Sequence, residues 1–444
     1  MRIPYRASLH ALCIALSLAG TSSLHAEDES LPTTPPAPAT GDENENAILK
    51  RLMAKALQAR EDGDLYEAIE AFNTILSITP HLHRVRLELA VTHYQALNYA
   101  NAREEAERVL ADPALSEANR DSILRFLDKV ARMEDELTQK HHWKPKLALG
   151  LVHDDNVNVG PSSDVINVGD QVYRIKEEYQ PRADTGLIIA GELGHRYRFD
   201  DTFTLGNQTV QPYWQSLAAL YHRGYLNEGD FDFSVFSLST GPALTARKNW
   251  RASLDMRVDH LLFGGEDYGR YYSANPAFTW LTRRGEVTVD LGVTHRDYLT
   301  PLSYGDSSLY RWTGLSVGHA LLDRRLALQA GIRLFDETPD NPKYAHQGRE
   351  YFAGLQYRLS PSTSVFAKWS RKDIEYEGLV GAPFNVRRDE TQDKVSLGMQ
   401  YRFRSGPLEK WHAQLQYTHT TRDSNVPLYD YERGQLYLAL QRAF

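Results

Sequence analysis

Two periodicities divide this chain, and the second constrains the fold most. From Trp143 to Phe444, apolar and polar residues alternate with a period of two, the spacing at which strand side chains point to opposite faces. In Glu286 to Thr294, Val287, Val289, Leu291 and Val293 share one face, and Thr288, Asp290, Gly292 and Thr294 share the other. Lys394 to Phe403 repeats the pattern, with Val395, Leu397, Met399, Tyr401 and Phe403 against Lys394, Ser396, Gly398, Gln400 and Arg402. Leu326 to Leu334 carries Ala327, Gln329, Gly331 and Arg333 on its polar side, and Trp250 to Val258 carries Arg251, Ser253, Asp255 and Arg257. No apolar crossover helix interrupts this region.

A soluble sandwich also has a polar solvent face, so alternation alone does not choose between a sandwich and a membrane barrel. Loop lengths do. About fourteen alternating segments fall at 143–153, 184–199, 211–224, 230–243, 249–263, 270–283, 285–298, 308–322, 325–337, 348–360, 362–377, 389–403, 409–422 and 433–444. An even count suits a bacterial barrel. Short connections carry Arg283-Arg284-Gly285, Asp323-Arg324, Ser360-Pro361-Ser362 and Ser405-Gly406-Pro407; long ones run over 154–183, 338–348, 376–390 and 423–432. Short periplasmic turns and longer external loops mark an outer-membrane barrel. The connection at 199–211 is longer than this scheme expects. All seven Trp lie in this region, and Trp143, Trp250, Trp280 and Trp411 fall near periplasmic strand ends, as an interfacial girdle requires. The last strand ends on Phe444, which resembles the C-terminal signal read by the barrel-assembly machinery; Arg442 departs from that pattern and is expected to snorkel at the interface.

The mean hydropathy of −0.49 looks soluble, but only alternate residues of a barrel face lipid. The net charge of −8 gives no reason to expect a nucleic-acid partner. Residues 1–26 read as a secretory signal, with Arg2 and Arg6 before the apolar stretch Leu9–Ala19 and a cleavage site at Leu24-His25-Ala26. The single Cys, Cys13, lies inside that segment, so the mature chain is expected to have neither disulfide nor thiolate metal site. Residues 27–45 are acidic and Pro-rich and read as a flexible linker.

Residues 46–140 have a helical period. Asp64-Leu65-Tyr66-Glu67-Ala68 returns as Asn98-Tyr99-Ala100-Asn101-Ala102, 34 residues later. This spacing resembles the tetratricopeptide repeat. Gly63 supplies the turn between the first two helices, Ala68 and Ala102 sit where helices approach closely, and Pro80 and Pro113 close the units. Phe72 fills the core position of the first unit, where the second has Ala106; Glu117–Leu137 would cap the array. Such an array offers a concave surface for a partner chain. By register, Arg60, Glu61, Arg84, Leu87, Tyr94 and Gln95 line that surface and are the candidate cargo-binding residues.

No metalloprotease, hydrolase or phosphate-loop motif is present in the sequence, and neither enzyme activity nor a cofactor is expected. Asp154-Asp155-Asn156-Val157-Asn158 is rich in hard oxygen donors, but its spacing matches no calcium loop. A role at the barrel mouth or at a strand end suits it better.

Over nearly all of the mature chain the sequence resembles the surface lipoprotein assembly modulator (Slam) family, also described as type XI secretion. The resemblance rests on order: signal peptide, short tetratricopeptide-like domain, Trp143 at the barrel entry, the D-x-N-[VI]-N element at Asp154, Asn156, Val157 and Asn158, about fourteen strands and a terminal Phe444. It implies a periplasmic helical domain followed by a fourteen-stranded outer-membrane barrel. The implied activity is export or surface display of specific lipoproteins or soluble haem- or iron-binding-type proteins. The implied partners are that cargo, outer-membrane lipids, the barrel-assembly machinery and periplasmic chaperones, with the protein itself a monomer. A polysaccharide exporter or a porin with a periplasmic repeat domain is the alternative.

Overall fold

The computed structural model describes residues 43–444, apart from residues 63, 97, 114, 169, 207, 247, 248, 283, 301–304 and 323. The side chains of residues 43–47, 61, 62, 132 and 135–138 are likewise not described. The signal segment 1–26, the linker as far as residue 42 and the Gly63 turn lie outside the described residues. The chain divides into two compact units between Gln139 and Lys140.

Among the described residues the first unit holds five helices: α1 (Glu43–Asp62), α2 (Leu65–Ile78), α3 (His83–Gln95), α4 (Tyr99–Leu110) and α5 (Glu117–Thr138). The linker read as far as residue 45 stops earlier, because α1 already begins at Glu43. The 34-residue recurrence marks two equivalent helix starts. Asp64 caps α2 at φ −80° and ψ 65°, and Asn98 caps α4 at φ −91° and ψ 68°. Ala68, Phe72, Ala102 and Ala106 are all fully buried, so the small residues do sit at close approaches. Two apolar clusters result. Ala56, Ala68, Phe72, Ile75, Val85 and Leu89 belong to one, and Leu87, Val91, Tyr99, Val109, Ile123 and Phe126 to the other. Helix α3 contributes to both, so it is apolar on two sides, as a middle layer must be.

The second unit is a closed antiparallel barrel. Its strands are β1 (His141–Asp154), β4 (Asp184–Arg198), β6 (Gln208–Tyr225), β7 (Phe233–Ala246), β8 (Trp250–Phe263), β9 (Glu266–Leu281) and β10 (Gly285–Tyr298). They continue with β11 (Ser307–Leu321), β12 (Leu326–Pro339), β13 (His346–Arg358), β14 (Thr363–Leu379), β15 (Arg387–Arg402), β16 (Trp411–Ser424) and β17 (Tyr431–Ala443). Each pairs with its sequence neighbour, and the ring closes where Lys146–Asp154 of β1 meets Ala443–Gln435 of β17. Closure leaves no free edge, which is what a bilayer demands of β-structure. His141 and His142 begin β1, and His141 pairs with Tyr197.

Three minor strands complete the sheet inventory. β2 (Val165–Val168) and β3 (Gln171–Arg174) form a hairpin inside the loop after β1. β5 (Phe203–Leu205) pairs with Gln208–Val210, which accounts for the long connection at 199–211: it folds back on the overhanging start of β6. One external connection is shorter than the sequence suggested. β8 and β9 are joined by Gly264-Gly265 alone, both at positive φ, a conformation open to glycine.

The alternation becomes an inside and an outside. Val287, Val289, Leu291 and Val293 are exposed outward, as are Val395, Leu397, Met399 and Tyr401. The opposite face lines the lumen. There, aromatic rings lie over glycines on the neighbouring strand: a Cβ on Gly292 would stand 2.1 Å from the Trp312 ring, and one on Gly398 2.3 Å from Phe366. This is why the polar faces carry glycine at those positions. At the short-turn end, Trp143, Trp250, Trp280 and Trp411 all occupy outward register positions, with Trp143 and Trp280 well exposed. An apolar outer band with an aromatic girdle and a polar interior places this unit in the outer membrane.

Candidate functional site: the loop latch and the lumen

The sequence element at 154–158 lies where β1 runs into the longest loop, residues 155–183. Asp154 is the inward residue at the end of β1 and is fully buried. Arg433 of β17 holds it with Nε at 3.0 and 3.1 Å and Nη2 at 2.5 Å. The Tyr225 hydroxyl and the Gln435 amide donate at 2.7 Å each to Oδ2, the oxygen that also takes Nη2. Asp155 takes the Gly434 N–H at 2.7 Å and returns its own N–H to the Gly434 carbonyl. Asn156 donates to the carbonyls of Gly160 and Glu432 at 2.9 and 2.8 Å and accepts the Gly160 N–H at 2.7 Å. Asn158 bridges Gln180 and Arg182, and Val157 packs against Val152 and Tyr225.

These side chains spend their oxygens on N–H and O–H donors of the protein rather than on a cation cage. Their chemistry is that of a latch. The start of the loop is fastened to the last strand across 279 residues of sequence, at the seam where the barrel closes. Asn and Asp suit the task because short amide and carboxylate groups satisfy backbone groups that an irregular segment leaves unpaired. Sequence reading found this element but missed Arg433, Tyr225 and Gln435. Arg433 and Gln435 do stand on the polar face of the final strand, which was a usable signal; that they meet Asp154 follows only from closure.

The latch ends one row of paired charges along the lumen. Arg296 reaches Glu337 at 2.7 Å, and Ser308 donates to the same carboxylate at 2.6 Å. Glu390, fully buried, lies 3.0 Å from Arg388 and 3.4 Å from Arg422. Arg388 is sandwiched between the rings of Tyr376 and Tyr429, at 3.7 and 4.0 Å. Each of these buried charges has a partner, without which its burial costs several kcal/mol. None of these residues stood among the sequence candidates, because pairing across strands is invisible to a linear pattern.

The helical candidates do not form one open face. Arg60 is engaged with Glu88 at 2.7 Å. Leu87 is buried in the second apolar cluster. Tyr94 packs on Tyr99 and Phe126 with ring centroids 5.3 and 5.8 Å apart. Their places are therefore internal to the helix stack, where a middle helix uses both its sides. Arg84 is exposed and Gln95 half-buried, so they remain available to a partner. Glu61 belongs to α1, but its side chain lies outside the described residues. Trp143 stands outward on β1 beside His195, 4.2 Å between ring centroids. Phe444 is exposed, its N–H bonded to the Pro145 carbonyl at 3.0 Å; Arg442 lies 4.5 Å over the Phe444 ring and 6.0 Å from Trp411, at the aromatic girdle.

No family model matches the chain. The chain is 20% identical to "Surface lipoprotein assembly modifier" of Pasteurella multocida over 413 residues, which span 88% of this chain and 76% of that protein. It is 30% identical to "Surface lipoprotein assembly modifier 2" of Haemophilus influenzae over 110 residues, 25% of this chain and 21% of that one. Among solved structures, it is similar to OmpT, an outer-membrane protein of Vibrio cholerae (TM-score 0.37, 8% identity, 68% of this chain and 99% of that chain). It is also similar to OccK3 of Pseudomonas aeruginosa (TM-score 0.33, 13% identity, 70% and 97%).

Proposed function

Taking as premise that this chain is a relative of the surface lipoprotein assembly modifiers, we propose that it is an outer-membrane translocator. Its cargo would be specific proteins, lipoproteins or soluble haem- or iron-binding-type proteins, moved to the cell surface. The observation that carries this reading is the match along 88% of the chain, which takes in residues from both units. The architecture supports it. Residues 1–26 act as the export signal, 46–140 capture cargo in the periplasm, and 141–444 form the conduit. The helical unit joins β1 at the short-turn end of the barrel, which is the periplasmic end of an outer-membrane barrel. Holding cargo on a tethered domain raises its effective concentration at the barrel. No catalytic step is part of this function.

The test is protease shaving of intact cells that express the protein with a lipoprotein or secreted protein encoded beside its gene. Deleting residues 46–140 is expected to leave a barrel that inserts, since the barrel closes its own hydrogen bonds and keeps Phe444, but displays little cargo. Full display by the truncated protein would remove the helical unit as receptor. Equal display without any barrel would remove the export reading altogether.

A further inference from the structure

Three lumen lysines stand apart from the paired charges around them. Lys368 and Lys372 are inward residues of β14, and Lys394 is an inward residue of β15 opposite Ser370, between them. Each is therefore a diagonal cross-strand neighbour of the next, about 7–8 Å apart at the backbone. The lumen arginines Arg296, Arg333, Arg388, Arg422 and Arg433 each have a carboxylate within 4.0 Å. Among the described residues no carboxylate comes that close to any of the three lysines. The nearest acid in register, Glu350 opposite Lys372, pairs instead with Arg333 at 3.9 Å.

Two of the three ammonium groups lie against aromatic rings. Lys372 lies 4.3 Å over the Phe335 ring and Lys368 5.4 Å from the Phe366 ring. Lys394 feels the like charges of Arg433 and Lys368, opposed by the Glu350 carboxylate. Hydroxyls stand between them: Ser370, Ser396, Thr418 and Thr420 occupy facing register positions, with Ser396 and Thr418 bonded at 3.0 Å. Like charges this close on one wall repel, and low-dielectric walls focus their field into the lumen. Glu350 is the carboxylate that acts on both Lys372 and Lys394, and one negative charge at that distance does not balance three ammonium groups; an anion seated among them would.

We propose that Lys368, Lys372 and Lys394, with Ser370 and Thr420, form an anion-binding site on the lumen wall that takes phosphate or carboxylate groups. The site does not depend on the export reading: a barrel with no cargo would still bind the anion. Lysine fits as a point-charge donor to such oxygens.

Purified full-length protein in detergent micelles is titrated with sodium phosphate against sodium chloride at matched ionic strength, following the thermal midpoint of the barrel. Phosphate is expected to raise the midpoint where chloride does not. The triple variant Lys368→Gln, Lys372→Gln, Lys394→Gln should need at least tenfold more phosphate, with its midpoint in chloride unchanged or higher because repulsion is relieved. The triple Lys→Arg variant should keep the response, and the single Lys394→Gln, with heat-modifiable gel mobility as a folding control, should weaken it. Hexaglutamate distinguishes the sources: protection by it as well as by phosphate assigns the site to carboxylates of a passing chain. Protection by phosphate alone assigns it to a free oxyanion. Equal response to phosphate and chloride, or an undiminished response in the triple Lys→Gln variant, overturns the site.

Discussion

The two units sort the same residue types in opposite directions. In the helical unit the buried set is mostly Ala, Val, Leu, Ile and Phe, joined by Tyr99, Thr92 and His93, and ion pairs such as Arg108–Glu104 lie exposed on the surface. In the barrel the most buried side chains include Asp154, Arg296, Glu337, Glu390, Arg422 and Arg433, while Leu291, Leu397 and Leu438 stand exposed. The difference is the solvent. Water surrounds the helices, so apolar area collapses inward. Lipid surrounds the barrel, so apolar area faces out and polar groups satisfy one another within. A peripheral ion pair in water is worth little, whereas a pair inside the lumen has no alternative partner.

That contrast can be broken from either side. The largest effect is expected at the latch. Asp154→Ala leaves Arg433 buried without its carboxylate and should cost roughly 3–5 kcal/mol, the usual penalty for breaking a buried pair. A paired Asp154→Leu, Arg433→Met change should recover much of the loss, read as the thermal midpoint of the folded barrel; no recovery would mean the loop contacts, not the charge pair, carry the stability. In the helical unit the equivalent lesion is apolar. Phe72→Ala should cost about 3–5 kcal/mol and melt that unit while the barrel keeps its gel mobility. Loss of both together would show that the units do not fold separately.

On the outer wall, Leu291→Arg should cost roughly 2–4 kcal/mol near the midplane, whereas Thr288→Arg, on the lumen face, should assemble well. Equal assembly of the two, scored by heat-modifiable mobility, would invert the assigned faces. The smallest effect is a pH dependence confined to the helices. Burial holds His93 below its ordinary value of 6.5, against an opposing pull from Glu105. The unfolded chain therefore takes up a proton that the folded unit resists. Stability is full above about pH 6.5 and declines as pH falls below it, until the folded-state value is passed. His93→Leu should flatten the melting midpoint of a 43–139 fragment between pH 7.5 and 5.5; an unchanged slope would assign the dependence to another group.

Much of this was open to linear reading because it is periodic. The fourteen barrel strands, the outward faces and the four girdle tryptophans follow from a two-residue alternation, which the pleat converts directly into two faces. The repeat at Asp64 and Asn98 likewise announced two helix starts. The limit shows at α3. A register assignment put Leu87 and Tyr94 on a binding surface, but α3 packs on both sides, and only the neighbours decide which side of a helix is free. The limit shows again in the 154–158 element, recognised in sequence as a unit but without its partners.

By itself, then, the sequence determined every property that depends on spacing along the chain: strand count, lipid face, the division near residue 140 and the position of the loop element. Tertiary structure decided every property that depends on closure. Asp154 meets Arg433 only because β1 and β17 become neighbours when the ring is complete, 279 residues apart. Lys394 stands between Lys368 and Lys372 only because β14 and β15 pair in one register out of many. Alternation specifies which face a side chain takes. Register, set by the sum of backbone hydrogen bonds and turn geometry around the barrel, specifies whom it meets there.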